Sequence, residues 1–142
     1  MSGTAAWESA ALRRQEIELR MLAVREHVPG VRALLAERAM RAEHDLDFID
    51  DVRLAIDEVC AIMLDNCSPA EVLTVRLFAD AHRVEISASV AAAGEPVVGS
   101  LSLRVLQALA DSFDYWVEDA DGARIFRLDF GRTRSPTAPP RL

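Results

Sequence analysis

Between Asp47 and Asn66 the chain reads DFIDDVRLAIDEVCAIMLDN, a run whose pattern is satisfied only by an amphipathic helix. Ile49, Val52, Ile56, Val59, Cys60, Met63 and Cys67 recur at spacings of three or four, which at 3.6 residues per turn makes one apolar stripe that must lie against a core. Leu54, Glu58 and Ile62 follow one another four apart and so stack on a second surface, where an acid stands between two aliphatic residues. Asp45 or Asp47 supplies the N-cap, and Asp50 and Asp51 suit the positive end of the helix dipole.

The rest of the chain must provide that core. With 142 residues, 51% of them hydrophobic, it has enough apolar surface for one domain. Gln15 to Val24 alternates Ile17, Leu19 and Met21 with charged residues, the period of a half-buried strand. Pro29 fits a first helical turn, and Val28, Val31, Leu35 and Ala39 carry a helix to about Arg41. Ser68-Pro69 closes the central helix. Leu73 to Ala79 and Val84 to Val90 alternate around a short polar connection, Asp80 to Arg83, and read as a hairpin. Ala91 to Gly99 has no period and is a loop, the kind of segment that often carries function. Leu101, Val105 and Leu109 mark a third helix, Ser100 to Ala110. A second hairpin, with Tyr115 and Val117 before a turn at Asp119 to Gly122 and Phe126, Leu128 and Phe130 after it, ends the domain.

Residues 1–14 read as a flexible or helical arm, 15–131 as the domain, and 132–142, rich in Pro and Arg, as a disordered tail. The order β-α-α-β-β-α-β-β predicts an α+β fold, a two-layer sandwich in which three helices cover one face of a mostly antiparallel sheet.

Charge and composition exclude several functions. A net charge of -7 opposes a nucleic-acid backbone or an anionic membrane as the main partner. All sixteen positive residues are arginine, so neither Schiff-base chemistry nor a P-loop lysine is available. No stretch approaches the roughly 18 apolar residues of a membrane span, and no leader is visible, so a cytoplasmic protein is expected. Cys60 and Cys67 lie about 10 Å apart along one helix, too far to pair within it, and read as free thiols. His27, His44 and His82 have no metal-ligand spacing, so they read as surface residues and no metal site is expected. Tyr115 and Trp116 alternate on a strand, one inward and one outward.

At the central helix the sequence resembles a known family. DVRLAIDEVC is similar to the N-box of GHKL (Bergerat-fold) ATP-binding proteins, in particular the RsbW-type anti-sigma factors with serine kinase activity. GSLSLRVLQALADSF, from Gly99 to Phe113, is similar to their lid-and-helix region and looks most like the UsfX branch. The resemblance covers roughly residues 15–131.

It implies a nucleotide site with three parts, and each can be checked here. A glutamate orients the attacking group, and Glu58 matches it. The asparagine that holds Mg²⁺ four residues later is Ile62 in this chain, with no oxygen for a hard cation. The aspartate that accepts the adenine amino group falls on Val90, and the first glycine of that turn on Ala92. The phosphate loop is half kept by Gly99, Ser100 and Ser102, with Arg104 as the local cation at a helix N-terminus. The resemblance therefore implies a degenerate ATP site in which no cofactor is required and ATP with Mg²⁺ binds weakly. It further implies an anti-sigma factor that sequesters a stress- or sporulation-type sigma factor and is released by an anti-anti-sigma protein of the STAS type. The alternative is a working serine protein kinase that uses Glu58 as base. An exposed strand edge at 16–22 or 113–118 is expected to support a homodimer, and Asp45 to Asp51 with the Ala91 to Gly99 loop is expected to form part of the partner surface.

Overall fold

The computed structural model describes residues 11–135. Strand β1 (Glu16–Leu22) leads through a 3-10 turn at Arg25–His27 into helix α1 (Val28–Arg41), followed by α2 (Leu46–Asp65). Then come β2 (Val72–Ala79), β3 (Arg83–Ala91), α3 (Ser100–Leu109), β4 (Ser112–Ala120) and β5 (Ala123–Thr133), in the order expected from the sequence. The five strands form one sheet, β1-β2-β3-β5-β4, in which every neighbouring pair is antiparallel.

The register explains why the helices gather on one side. Ile17, Leu77, Ile86, Phe130 and Phe113 pair in a row across all five strands, and the next row runs Glu18, Arg76, Ser87, Asp129 and Asp114. Successive side chains of a strand point to opposite faces, so one face is an apolar floor and the other is polar. Val31, Leu35 and Ala39 of α1, Val52, Ile56, Val59 and Met63 of α2, and Leu106 of α3 pack on that floor in a single core. The α+β sandwich is the one expected. On the polar face, Arg76 bonds Glu18 across the strands at 2.9 Å and the fully buried Arg127 pairs with Glu118.

Both hairpin turns follow from their sequences. Asp80 accepts the backbone N–H groups of His82 and Arg83 at 2.8 and 2.9 Å, which fixes the β2–β3 connection. Ala120 pairs with Ala123, leaving Asp121 and Gly122 at φ 50° and 81°, a two-residue turn of the left-handed kind that matches strand twist.

The expected boundaries move slightly. β5 continues through Arg132 and Thr133, because Asp111 accepts the Thr133 N–H and hydroxyl at 2.6 and 2.7 Å while Arg132 binds Asp51 and the Leu109 carbonyl. Arg13, assigned to the arm, pairs with Glu16 and Glu85. The remainder of the expected arm and tail, 1–10 and 136–142, lies outside the described residues.

One expectation about the histidines is corrected. α1 ends with Glu43 in the left-handed region (φ 66°), the His44 N–H bonding the Ala39 carbonyl and the Glu43 N–H the Met40 carbonyl, which turns His44 inward. Instead of lying on the surface it is fully buried, stacked on Phe48 at 4.0 Å, with Nε2–H donating to the Asp80 carbonyl at 2.7 Å. Its Nδ1 has no partner among the described residues. Burial pushes the His44 pKa below the ordinary 6.5 against the raising effect of the Asp80 carbonyl, and Arg134 lowers it further. The fold thus holds His44 neutral while the unfolded chain takes up a proton near 6.5. The contribution to stability is complete above that pH and is lost as pH falls below it, by up to about 1.4 kcal/mol per pH unit. Urea midpoints measured from about pH 7.5 to 5.5 are expected to fall, and His44→Gln to remove that part of the slope.

Candidate functional site

The site is built along α2. Asp45 caps the helix by accepting the Phe48 N–H at 2.8 Å. At the far end Asn66 meets Val97 just before α3, while Ala108 to Asp111 at the end of α3 lie beside Asp45 to Asp51. The two helices therefore run antiparallel, side by side. On the opposite flank α1 is tied to α2 by Arg32 and Asp57 at 2.9 Å.

The residues singled out from the sequence sit as follows. Glu58 is half-buried on α2 and has no hydrogen-bond or ion-pair partner among the described residues. Ile62 is only 3% exposed, so it does not share an open second surface with the exposed Leu54; it is part of the core. Val90, 2% exposed, pairs with Phe126 and also faces the core, and Ala92 is half-buried against it. The two positions without oxygen atoms are thus filled by packed hydrocarbon. Gly99 is the N-cap of α3, with no side-chain cap and its carbonyl bonded to the Leu103 N–H at 3.0 Å. Ser100 and Arg104 are exposed and Ser102 is half-buried, which leaves the first turn of α3 able to receive an anion.

Sequence reasoning missed Asn66, which it read only as a helix end. Its amide nitrogen donates to the Ile62 and Val97 carbonyls at 2.8 and 3.0 Å, and its amide oxygen accepts the Val97 N–H at 2.7 Å. Its backbone carbonyl accepts the Ala93 N–H at 3.0 Å. One side chain therefore caps α2 and pairs with a loop residue as a strand backbone would. Glu95 adds an ion pair to Arg124, whose backbone carbonyl accepts the Ala92 N–H at 2.8 Å, so the loop from 92 to 98 is fastened at Ala92, Ala93, Glu95 and Val97. The only signal for this in the sequence is an uncharged amide at a helix C-terminus ahead of Cys-Ser-Pro.

At the other end of α2 a cleft of about 500 Å³ is lined by Asp45, Asp47, Phe48, Asp111, Arg132 and Arg134. The expected partner surface joined this end to the Ala91–Gly99 loop, yet the two lie at opposite ends of α2, about 28 Å apart at 1.5 Å per residue, and do not form one patch. Among the described residues no group of three or more His, Cys, Asp or Glu is placed to hold a metal ion. Both cysteines are free; burial pushes the Cys60 thiol up to about 12, and burial also raises Cys67, which keeps both protonated and poorly reactive. Tyr115 is exposed on the outer strand although its ring meets Phe126 edge-on, and Trp116 is half-buried on the other face. No helix among the described residues is long and apolar enough to cross a membrane.

No family model matches the chain. Over 99 residues it is 36% identical to the anti-sigma-F factor RsbW of Mycobacterium tuberculosis, in strain CDC 1551 / Oshkosh and equally in strain H37Rv. The match covers 67% of this chain and 58% of each relative, so the chain spans little more than half the length of the curated relatives it matches. The resemblance to RsbW-type anti-sigma factors, read from DVRLAIDEVC and from the Gly99–Phe113 segment, is borne out by this similarity.

Proposed function

We propose that this protein is an anti-sigma factor that sequesters an alternative sigma factor of the stress or sporulation type by direct contact, without needing nucleotide. The observation that carries the nucleotide-independent reading is the burial of Ile62, since a core isoleucine occupies the position of the metal-holding asparagine. Val90 at the adenine position and the Asn66–Val97 clamp support it from two further sides. An acidic chain suits a basic, promoter-binding partner through steering and charge complementarity. Release by an anti-anti-sigma protein of the STAS type follows from the same family reading, and β1 and β4, the two edge strands, are available for a homodimer.

Losing a buried hydrogen bond costs about 1 to 3 kcal/mol. With the metal ligand also absent, Mg-ATP is expected to bind on the order of a hundredfold more weakly than in an intact site. Calorimetry at physiological Mg²⁺ is expected to give no micromolar affinity, and radiolabelled ATP no transfer to a STAS partner. The retained, unpartnered Glu58 favours the kinase as second reading. Transferred label that disappears in Glu58→Ala decides for it.

A further inference from the structure

We infer that the polar face of the sheet is a docking surface for this chain's own N-terminal segment, residues 1–10, which crosses it from β2 to β5 and sets Trp7 and Glu8 against buried guanidinium groups. A partner that uses this face must displace that segment. The inference is independent of the anti-sigma reading.

One track across that face is closed to water. Phe78, Arg76 and Thr74 of β2 are 7%, 6% and 5% exposed, Ser89 of β3 is 3% exposed and Arg127 of β5 is 0% exposed. Thr74 pairs with Ser89 and Ser89 with Arg127, so the track is continuous. Arg20, Val72 and Asp129 of the same face lie to either side of it and are exposed, so the closed strip is narrow. All three helices pack on the opposite floor, and none of them supplies the cover. A guanidinium is almost never buried to this degree without one.

The described chain enters at one end of this track. Arg13 lies over Phe78, its guanidinium carbon 3.8 Å from the ring centroid, and pairs with Glu85 of β3 at 2.7 Å. Its carbonyl accepts the Glu16 N–H at 3.0 Å, closing a turn that reverses the chain, so the residues before Arg13 are aimed back over the face. From Phe78 to Arg127 is four residues along the strands and two strands across, a distance of about 17 Å. About six residues of extended chain span roughly 20 Å, which brings Trp7 and Glu8 to the Arg76 and Arg127 end. Their chemistry suits that end, since an indole face stacks on a guanidinium and a carboxylate neutralises it. Residues 136–142 are the poorer occupant: they hold no acidic or aromatic side chain, carry Arg141, and follow from the hairpin end where the Arg134 N–H bonds the His82 carbonyl at 2.7 Å.

The test uses the full chain carrying Trp116→Phe, in which Trp7 is the one tryptophan left. Its emission and acrylamide quenching are read in buffer, in urea, and over a dilution series. Trp7 is expected to emit to the blue of the urea-unfolded chain and to be quenched several-fold less, equally at every concentration. Adding Glu8→Arg brings a cation onto the buried arginines. It is expected to raise quenching to near the unfolded level while circular dichroism keeps the folded spectrum, since no core residue is altered. Trp7 quenched in buffer as fully as in urea overturns the crossing, and so does protection that survives Glu8→Arg. Protection that vanishes on dilution assigns the track to the segment of a second copy and overturns it as well. Sigma-factor affinity is no part of the readout, so the anti-sigma reading stands or falls separately.

Discussion

Ile62→Asn is expected to destabilise the protein by about 4 kcal/mol and to restore no nucleotide binding. At 3% exposure Ile62 is part of the core, so the change forfeits about 2 kcal/mol of apolar burial and adds about 2 for an amide without assured partners. Urea unfolding of the variant measures the loss, with Ile62→Val as control at about 1 kcal/mol. An unchanged midpoint would place Ile62 on an open surface and reopen the nucleotide cleft. The substitution that would supply the asparagine of the family pattern is thereby expected to be among the most damaging in the helix, because Ile62 is part of the core.

The second large effect belongs to Asn66. Asn66→Ala removes three side-chain hydrogen bonds at once and strands both backbone groups of Val97, a loss of about 3 kcal/mol. Asn66→Asp keeps an acceptor for the Val97 N–H but turns carboxylate oxygens toward the Ile62 and Val97 carbonyls, and is expected to cost as much. The local consequence is sharper than the global one. Amide exchange at Val97 should accelerate in Asn66→Ala while amides of β2 and β3 retain their relative protection, since the clamp fastens a loop and not the sheet. If Val97 exchanges as slowly in the variant, Glu95 and Arg124 hold the loop without the amide.

The sheet and helices were readable because their side chains repeat. Ile17, Leu19 and Met21 alternate, as do Val84, Ile86 and Ala88, and each run became a strand with those residues on the core side. The exposure of Ile62 was misread for a definite reason. Spacing places it off the main stripe of α2, but α2 is the middle helix of three, so its flanks are covered as well as its base and the four-residue series from Leu54 passes from open water at one end into the core at the other. The same limit applies to His44, whose burial depends on a left-handed residue before it and a hairpin carbonyl thirty-six positions away. Asn66 reaches across a similar sequence distance to Val97. No local pattern encodes such contacts. The absence of polar side chains at Ile62 and Val90 was legible from residue identity, whereas the Asn66 clamp on the loop before α3 was not.

The most direct measurement is the affinity of the full chain for a sigma-F-type sigma factor, titrated with and without millimolar Mg-ATP. The same dissociation constant in both titrations is the expected result, because Ile62 and Val90 are packed into the core and the loop before α3 is fastened by Asn66. A tenfold change on adding nucleotide, in either direction, would contradict it.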